Sequence, residues 1–146
     1  MKTLATLCTA LFAVALAAAD DKAKFDAGKL VGDWTYVSGM RGGEKVDKER
    51  LAGKVTVTKD TFTLPAGPQD KFVMTYKVDA KAVPAKVDLD IKSGPVNEGK
   101  AEGIIAVDGD EMKICYVVAG LGGKRPEKFE STKDNGAFYF VLKRAR

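Results

Sequence analysis

Hydrophobic and polar residues alternate along most of the chain beyond residue 31, in short runs broken by glycine, proline and aspartate. Lys86 to Lys92 is the clearest run, with Val87, Leu89 and Ile91 set against Asp88, Asp90 and Lys92. A period of two puts one face of a strand in a core and the other in water. Lys71 to Val78 repeats it, with Phe72, Met74, Tyr76 and Val78 on one face. Trp34 to Ser38 places Trp34, Tyr36 and Ser38 on one face and Thr35 and Val37 on the other. Lys54 to Thr58 carries Val55 and Val57, and Thr61 to Leu64 carries Phe62 and Leu64. Lys100 to Val107, Glu111 to Val118 and Ala137 to Arg144 complete the long strands, and Glu127 to Thr132 reads as a shorter one, for nine candidates in all.

The breaks between these runs are turn signals. Gly39 to Lys45 is a Gly-rich loop, and Asp47 to Gly53 reads as a single helical turn with Asp47 as its N-cap and Gly53 as its stop. Asp108-Gly109 between two alternating runs predicts a two-residue hairpin with both central residues at positive φ. Gly103 inside its run predicts a bulge or a bend. The polar stretch from Asp20 to Val31, with Phe25 and Leu30 as apolar points, is expected to form a short helix or arm over one end of the fold. Hairpin follows hairpin and no long helical period intervenes, which predicts an all-β, up-and-down antiparallel fold. An open sheet would leave two long apolar edges, so closure into a β-barrel is expected. The first and last strands run antiparallel only if the wall holds an even number of strands. About eight wall strands are therefore expected, with Glu127 to Thr132 as an incomplete extra.

Closure of this kind brings the two ends of the chain together. The start of the first strand then faces the end of the last, so Trp34 meets the region of Lys143-Arg144. If Phe138, Phe140, Leu142 and Arg144 face inward, Arg144 lands on the barrel floor beside Trp34, where a guanidinium can stack on the indole. Gly32 lets the chain pass close beneath.

Gly-x-Trp on the first strand with a basic residue ending the last resembles the lipocalin and wider calycin barrels. Gly32-Asp33-Trp34, Asp108-Gly109-Asp110, Ile114-Cys115-Tyr116, Arg125-Pro126 with Phe129, and Val141-Leu142-Lys143-Arg144 occur in this order along nearly the whole chain. Together they resemble a lipocalin-like domain family of unknown function found mainly in planctomycetes. The resemblance implies a barrel fold and an exported or modular setting. It implies no established activity and therefore no catalytic residue.

The N-terminus agrees with export. Lys2, the uncharged apolar stretch from Leu4 to Leu16 and Ala17-Ala18-Ala19 read as a signal peptide over residues 1–19, leaving 20–146 as one barrel domain. The apolar stretch is too short for a membrane span. Leu7, standing before Cys8 where a small residue is needed, argues against a lipoprotein. The expected location is periplasmic or extracellular. Cleavage removes one lysine and no acid from a chain of formal net charge +4, and the remaining cations are dispersed, which disfavours nucleic acid. Cys115 is then the sole cysteine, so an internal disulfide is excluded. It reads as a buried small hydrophobe; the rival reading, a reactive thiol, lacks a histidine to activate it.

The chain contains no histidine, which removes a Ser-His-Asp triad, a His-ligated haem and an ordinary zinc site. No enzyme activity, metal or cofactor is expected. Asp88 with Asp90, and Asp108-Asp110-Glu111, are acidic groups whose spacing suits a wet strand face and a hairpin better than a cation site. Trp34, Phe62, Met74, Tyr76, Tyr116, Phe138 and Phe140 are the candidate ligand-lining residues, unless they simply fill the core. Arg125 is the loop cation set to meet an anionic ligand at a mouth, or else a solvated loop residue. The expected partner is a small apolar or amphipathic ligand. The alternative is a cell-envelope interaction or structural module with a filled core, recognising a protein partner through the loops Gly39 to Lys45 and Ala119 to Lys124.

Overall fold

The fold is described from a computed structural model over residues 25–65, 69–94, 99–120 and 123–146. The signal-peptide reading of residues 1–19 lies outside these residues. So do parts of the loops that begin at Pro65, Ser93 and Ala119.

A 3₁₀ turn (Ala27–Leu30) precedes nine strands: β1 (Gly32–Arg41), β2 (Glu44–Lys45), β3 (Lys54–Val57), β4 (Thr61–Pro65), β5 (Lys71–Asp79), β6 (Ala85–Ser93), β7 (Gly99–Asp108), β8 (Glu111–Val118) and β9 (Phe138–Arg144). Every pairing is antiparallel. From β3 to β9 each strand pairs with the next, and β1 pairs with both β3 and β9. The result is a closed eight-stranded barrel with one extra strand and almost no helix. The extra strand is β2, which pairs only with the end of β1 through Met40↔Lys45 and Arg41↔Glu44.

Glu127 to Thr132 is not a strand. Both edges of β8 are already taken, by β7 and β9, so a closed wall offers these residues no free edge. The segment instead lies over the outer face of β7, β8 and β9. Phe129 packs there with Ile104, Cys115, Val117, Ala137 and Tyr139 in a second, smaller core.

Two further expectations are corrected, and for Gly103 the bulge is excluded. A bulge between Tyr36 and Ser38 shifts the face of β1, so Ser38 is exposed and Gly39 takes the inward position. The β7–β8 hairpin closes on Asp108↔Glu111, and Gly109-Asp110 is its two-residue loop. Only Gly109 has positive φ there (+59°), since no non-glycine residue does; a type II′ turn needs only one such residue, whereas type I′ needs two. Gly103 keeps register with both Val87 and Tyr116, so it marks neither a bulge nor a slip. Its role is close approach: a Cβ there would sit 2.7 Å from the Tyr116 Cβ.

Apolar side chains fill the interior, while Lys77, Lys86, Asp88, Lys100 and Glu102 face outward and are exposed. A lipid-spanning barrel carries the opposite polarity. Among the described residues no helix is long and apolar enough to cross a membrane.

Candidate functional site at the barrel mouth

The two ends of the barrel differ. At the floor, β1 begins and β9 ends, and Trp34 pairs in register with Arg144. The Arg144 guanidinium carbon lies 4.3 Å from the Trp34 ring centroid. Its two terminal nitrogens donate to the Lys29 carbonyl (2.7 Å) and the Val31 carbonyl (3.1 Å). The Trp34 indole N–H donates to the Leu30 carbonyl at 2.8 Å, so the 3₁₀ turn is drawn beneath the barrel. Gly32 adopts φ +135°, and a Cβ at that position would lie 2.9 Å from an Arg144 nitrogen. The floor half is dry: Leu30, Trp34, Val55, Val57, Phe62, Met74, Leu89, Ile105, Met112 and Leu142 are all buried.

The candidate lining residues therefore divide. Trp34, Phe62 and Met74 belong to this packed floor. Tyr76 is half-buried near it, set edge-on to Phe62 with centroids 4.8 Å apart, and its hydroxyl donates to the Thr58 carbonyl at 2.8 Å. These residues fill space. Tyr116, Phe138 and Phe140 instead gather at the opposite end and are only partly buried.

Tyr116 stacks on Phe138 with centroids 5.1 Å apart and planes 11° from parallel. Phe140 touches Tyr36 at 5.3 Å, which adds Tyr36 to the group. Two wall glycines make room for these rings. Gly103 lies opposite Tyr116, and a Cβ on Gly39 would meet the Phe140 ring at 2.7 Å and Leu51 at 2.9 Å. Leu51 arrives on the turn that follows Asp47, whose carbonyl accepts from the Arg50 and Leu51 amides. That turn and the β1–β2 hairpin form one side of the rim. The hairpin is held to the outer segment by Gly42 N–H to the Ala137 carbonyl (3.1 Å) and Gly43 N–H to the Ser131 hydroxyl (3.0 Å).

Beside Phe138 an open cleft of about 560 Å³ lies between the rim and the outer segment, which contributes Gly123, Asn135 and Gly136. Val46, Val117, Val118 and Phe138 supply its apolar walls, and Arg41, Lys45 and Arg50 its cations, with Glu44 and Asp47 alongside. The Arg41 guanidinium carbon lies 5.2 Å from the Phe138 centroid. Burial pushes the Tyr36 phenol well above the ordinary tyrosine range, and the neighbouring Tyr116 pushes it further. Burial does the same to Tyr116, partly offset by the charge of Arg41. Both tyrosines thus stay neutral hydrogen-bonding groups at any physiological pH.

Arg125 is not at the mouth. It lies against the outer wall, donating to Asp88, to the Gly103 carbonyl (2.9 Å) and to the Val87 carbonyl (3.1 Å), with Glu102 at 3.8 Å. Asp90 pairs with Lys92 at 2.7 Å, and that bond holds its carboxyl below the usual range. Among the described residues no group of acids or cysteine is arranged to hold a metal ion. Cys115 lies under the outer segment, where its thiol donates to the Glu130 carbonyl at 3.3 Å. Burial raises its pKa to about 11, in spite of that bond.

Comparison with protein-family models, with curated proteins and with solved structures finds no match.

Proposed function

We propose that the protein is an exported, lipocalin-like, non-enzymatic binding protein whose barrel mouth takes a small apolar or amphipathic ligand. One observation carries this reading. The interior is filled from Trp34 to Leu142, whereas at the other end the aromatic rings are only partly buried and Phe138, one of them, also lines a rim cleft of about 560 Å³. Ligand sites are typically concave, largely apolar and roughly 300–1,000 Å³ in volume, with a few polar groups that orient the guest. The absence of histidine removes the side chain most often used for acid–base catalysis. Export rests on the sequence of residues 1–19.

Native mass spectrometry of freshly purified protein, followed by titration with a panel of lipids and hydrophobic dyes, tests the reading. Co-purified mass or saturable binding is expected. A clean apo mass with no saturable binding overturns it.

The filled floor half favours a second reading, a cell-envelope interaction or structural module that uses its loops and keeps its core closed. Capture of a specific partner from the exported fraction, by a protein that binds none of the panel, would put this reading in place of the first.

A further inference from the structure

Arg41, Lys45 and Arg50 all line the cleft, and none has a carboxylate within ion-pair distance among the described residues. Arg41 is the most telling. Glu44 stands directly across from it in the β1–β2 pairing, yet its guanidinium is turned onto the Phe138 ring. The two arginines at the other end and on the outer wall behave differently: Arg144 and Arg125 each bind two backbone carbonyls and an acid.

Below Arg41, Tyr116 stacks on the same Phe138 ring. Neither the Tyr116 nor the Tyr36 hydroxyl is bonded to another described residue. No buried side-chain oxygen among those residues lacks a partner. Both phenol oxygens therefore keep some accessible surface, as donors not used by another described residue. The charge of Arg41 is felt at the Tyr116 phenol, which puts the two groups in one electrostatic neighbourhood.

Resting on the reading above, we infer that the ligand is an anion: a carboxylate head group pairs with Arg41 at the rim, while its hydrocarbon part lies on Phe138 and Val118. A planar guanidinium offers a carboxylate a two-pronged bond that an alcohol or an amine cannot accept in the same way. Glu44 and Asp47 offset two of the three rim cations, and the one positive charge left in excess disfavours cationic amphipaths.

Calorimetric titration of the mature protein with decanoate, decanol and decylamine at neutral pH tests this. Decanoate should bind about tenfold tighter than decanol, and decylamine no tighter than decanol. Arg41→Gln should remove the carboxylate preference, bringing decanoate affinity to within about twofold of decanol affinity in the same variant. Equal affinity for decanoate and decanol, with no effect of Arg41→Gln, overturns the inference and leaves the container reading standing. Saturable binding of none of the three overturns both. If Trp34 emission shows that the variant is unfolded, a salt series on the wild type replaces it. Decanoate affinity that falls with added salt while decanol affinity holds supports the inference, and salt-independent decanoate binding overturns it.

Discussion

Arg144 lies over the indole of Trp34, 4.3 Å from guanidinium carbon to ring centroid, across the seam where β9 closes on β1. The same guanidinium reaches the Lys29 and Val31 carbonyls, so one cation ties together the first strand, the last strand and the turn beneath them. A cation–π contact contributes about 0.5–2 kcal/mol, and bonds from a charged donor add to it. Arg144 is about a third exposed, which discounts the sum. Arg144→Ala should cost about 2 kcal/mol of stability. Arg144→Lys should recover less than half, because an ammonium cannot span ring and carbonyls with a planar fork. Urea unfolding followed through Trp34, the single tryptophan, measures both; a lysine variant as stable as wild type would refute the account.

Gly103 has no room for a side chain. An added Cβ would collide with the Cys115 carbonyl oxygen and lie 2.7 Å from the Tyr116 Cβ. Gly103→Ala should destabilise by about 2–3 kcal/mol, through displaced backbone rather than strained φ. It should also disturb the Tyr116–Phe138 stack, visible as a change in near-ultraviolet circular dichroism. Wild-type stability in this variant would show that β7 and β8 do not approach so closely.

Cys115 makes stability depend on pH at the alkaline end. Its folded-state pKa is raised to about 11 from an ordinary value of 9.0 by burial. The folded chain therefore holds the proton more tightly than the unfolded chain. Its contribution is fully present below about pH 9 and is lost as pH rises towards about 11. Tyr36 and Tyr116, also raised, extend the loss to higher pH. Cys115→Ala should be less stable at neutral pH by about 1 kcal/mol, yet lose less stability than wild type between pH 9 and 11. Parallel pH–stability curves for the two proteins would show the thiol uninvolved.

Arg125 holds the outer segment against the wall through Asp88 and two backbone carbonyls. Arg125→Gln should loosen the cover over Cys115. The thiol should then react with an aromatic disulfide reagent about tenfold faster than in wild type, while the inner barrel stays folded. Unchanged thiol reactivity would mean that Phe129 and Tyr139 hold the segment unaided.

The long strands were legible because one wet face and one dry face impose a period of two; closure followed from the two apolar edges an open sheet would leave, and the strand number from parity. β2 escaped because two residues carry no period. The bulge at Val37 reversed the face of β1 beyond Tyr36, which alternation alone cannot reveal. Glu127 to Thr132 reads as a strand only from the Asp134-Asn135-Gly136 turn that follows it, and it meets a wall with no free edge. A signal for its true place was present: Ile114 to Val118 is apolar without interruption, which marks a strand covered on both faces. The mouth was legible in part. Tyr116, Phe138 and Phe140 followed from their faces, but Arg41, Lys45 and Arg50 converge only because a tight hairpin and a helical turn fold over one rim. Arg125 was misplaced because loop sequence does not say which side of a wall it will follow.

The central claim is that the floor is closed and filled and that the mouth receives the ligand. Amide and indole ¹H–¹⁵N spectra recorded during a decanoate titration test it most directly. The account predicts progressive, saturable shifts at Tyr36, Arg41, Tyr116, Phe138 and Phe140, with the Trp34 indole signal, bonded to the Leu30 carbonyl at 2.8 Å, unmoved. Shifts centred on Trp34 and Arg144 with a silent mouth, or a spectrum that decanoate leaves unchanged, would contradict it.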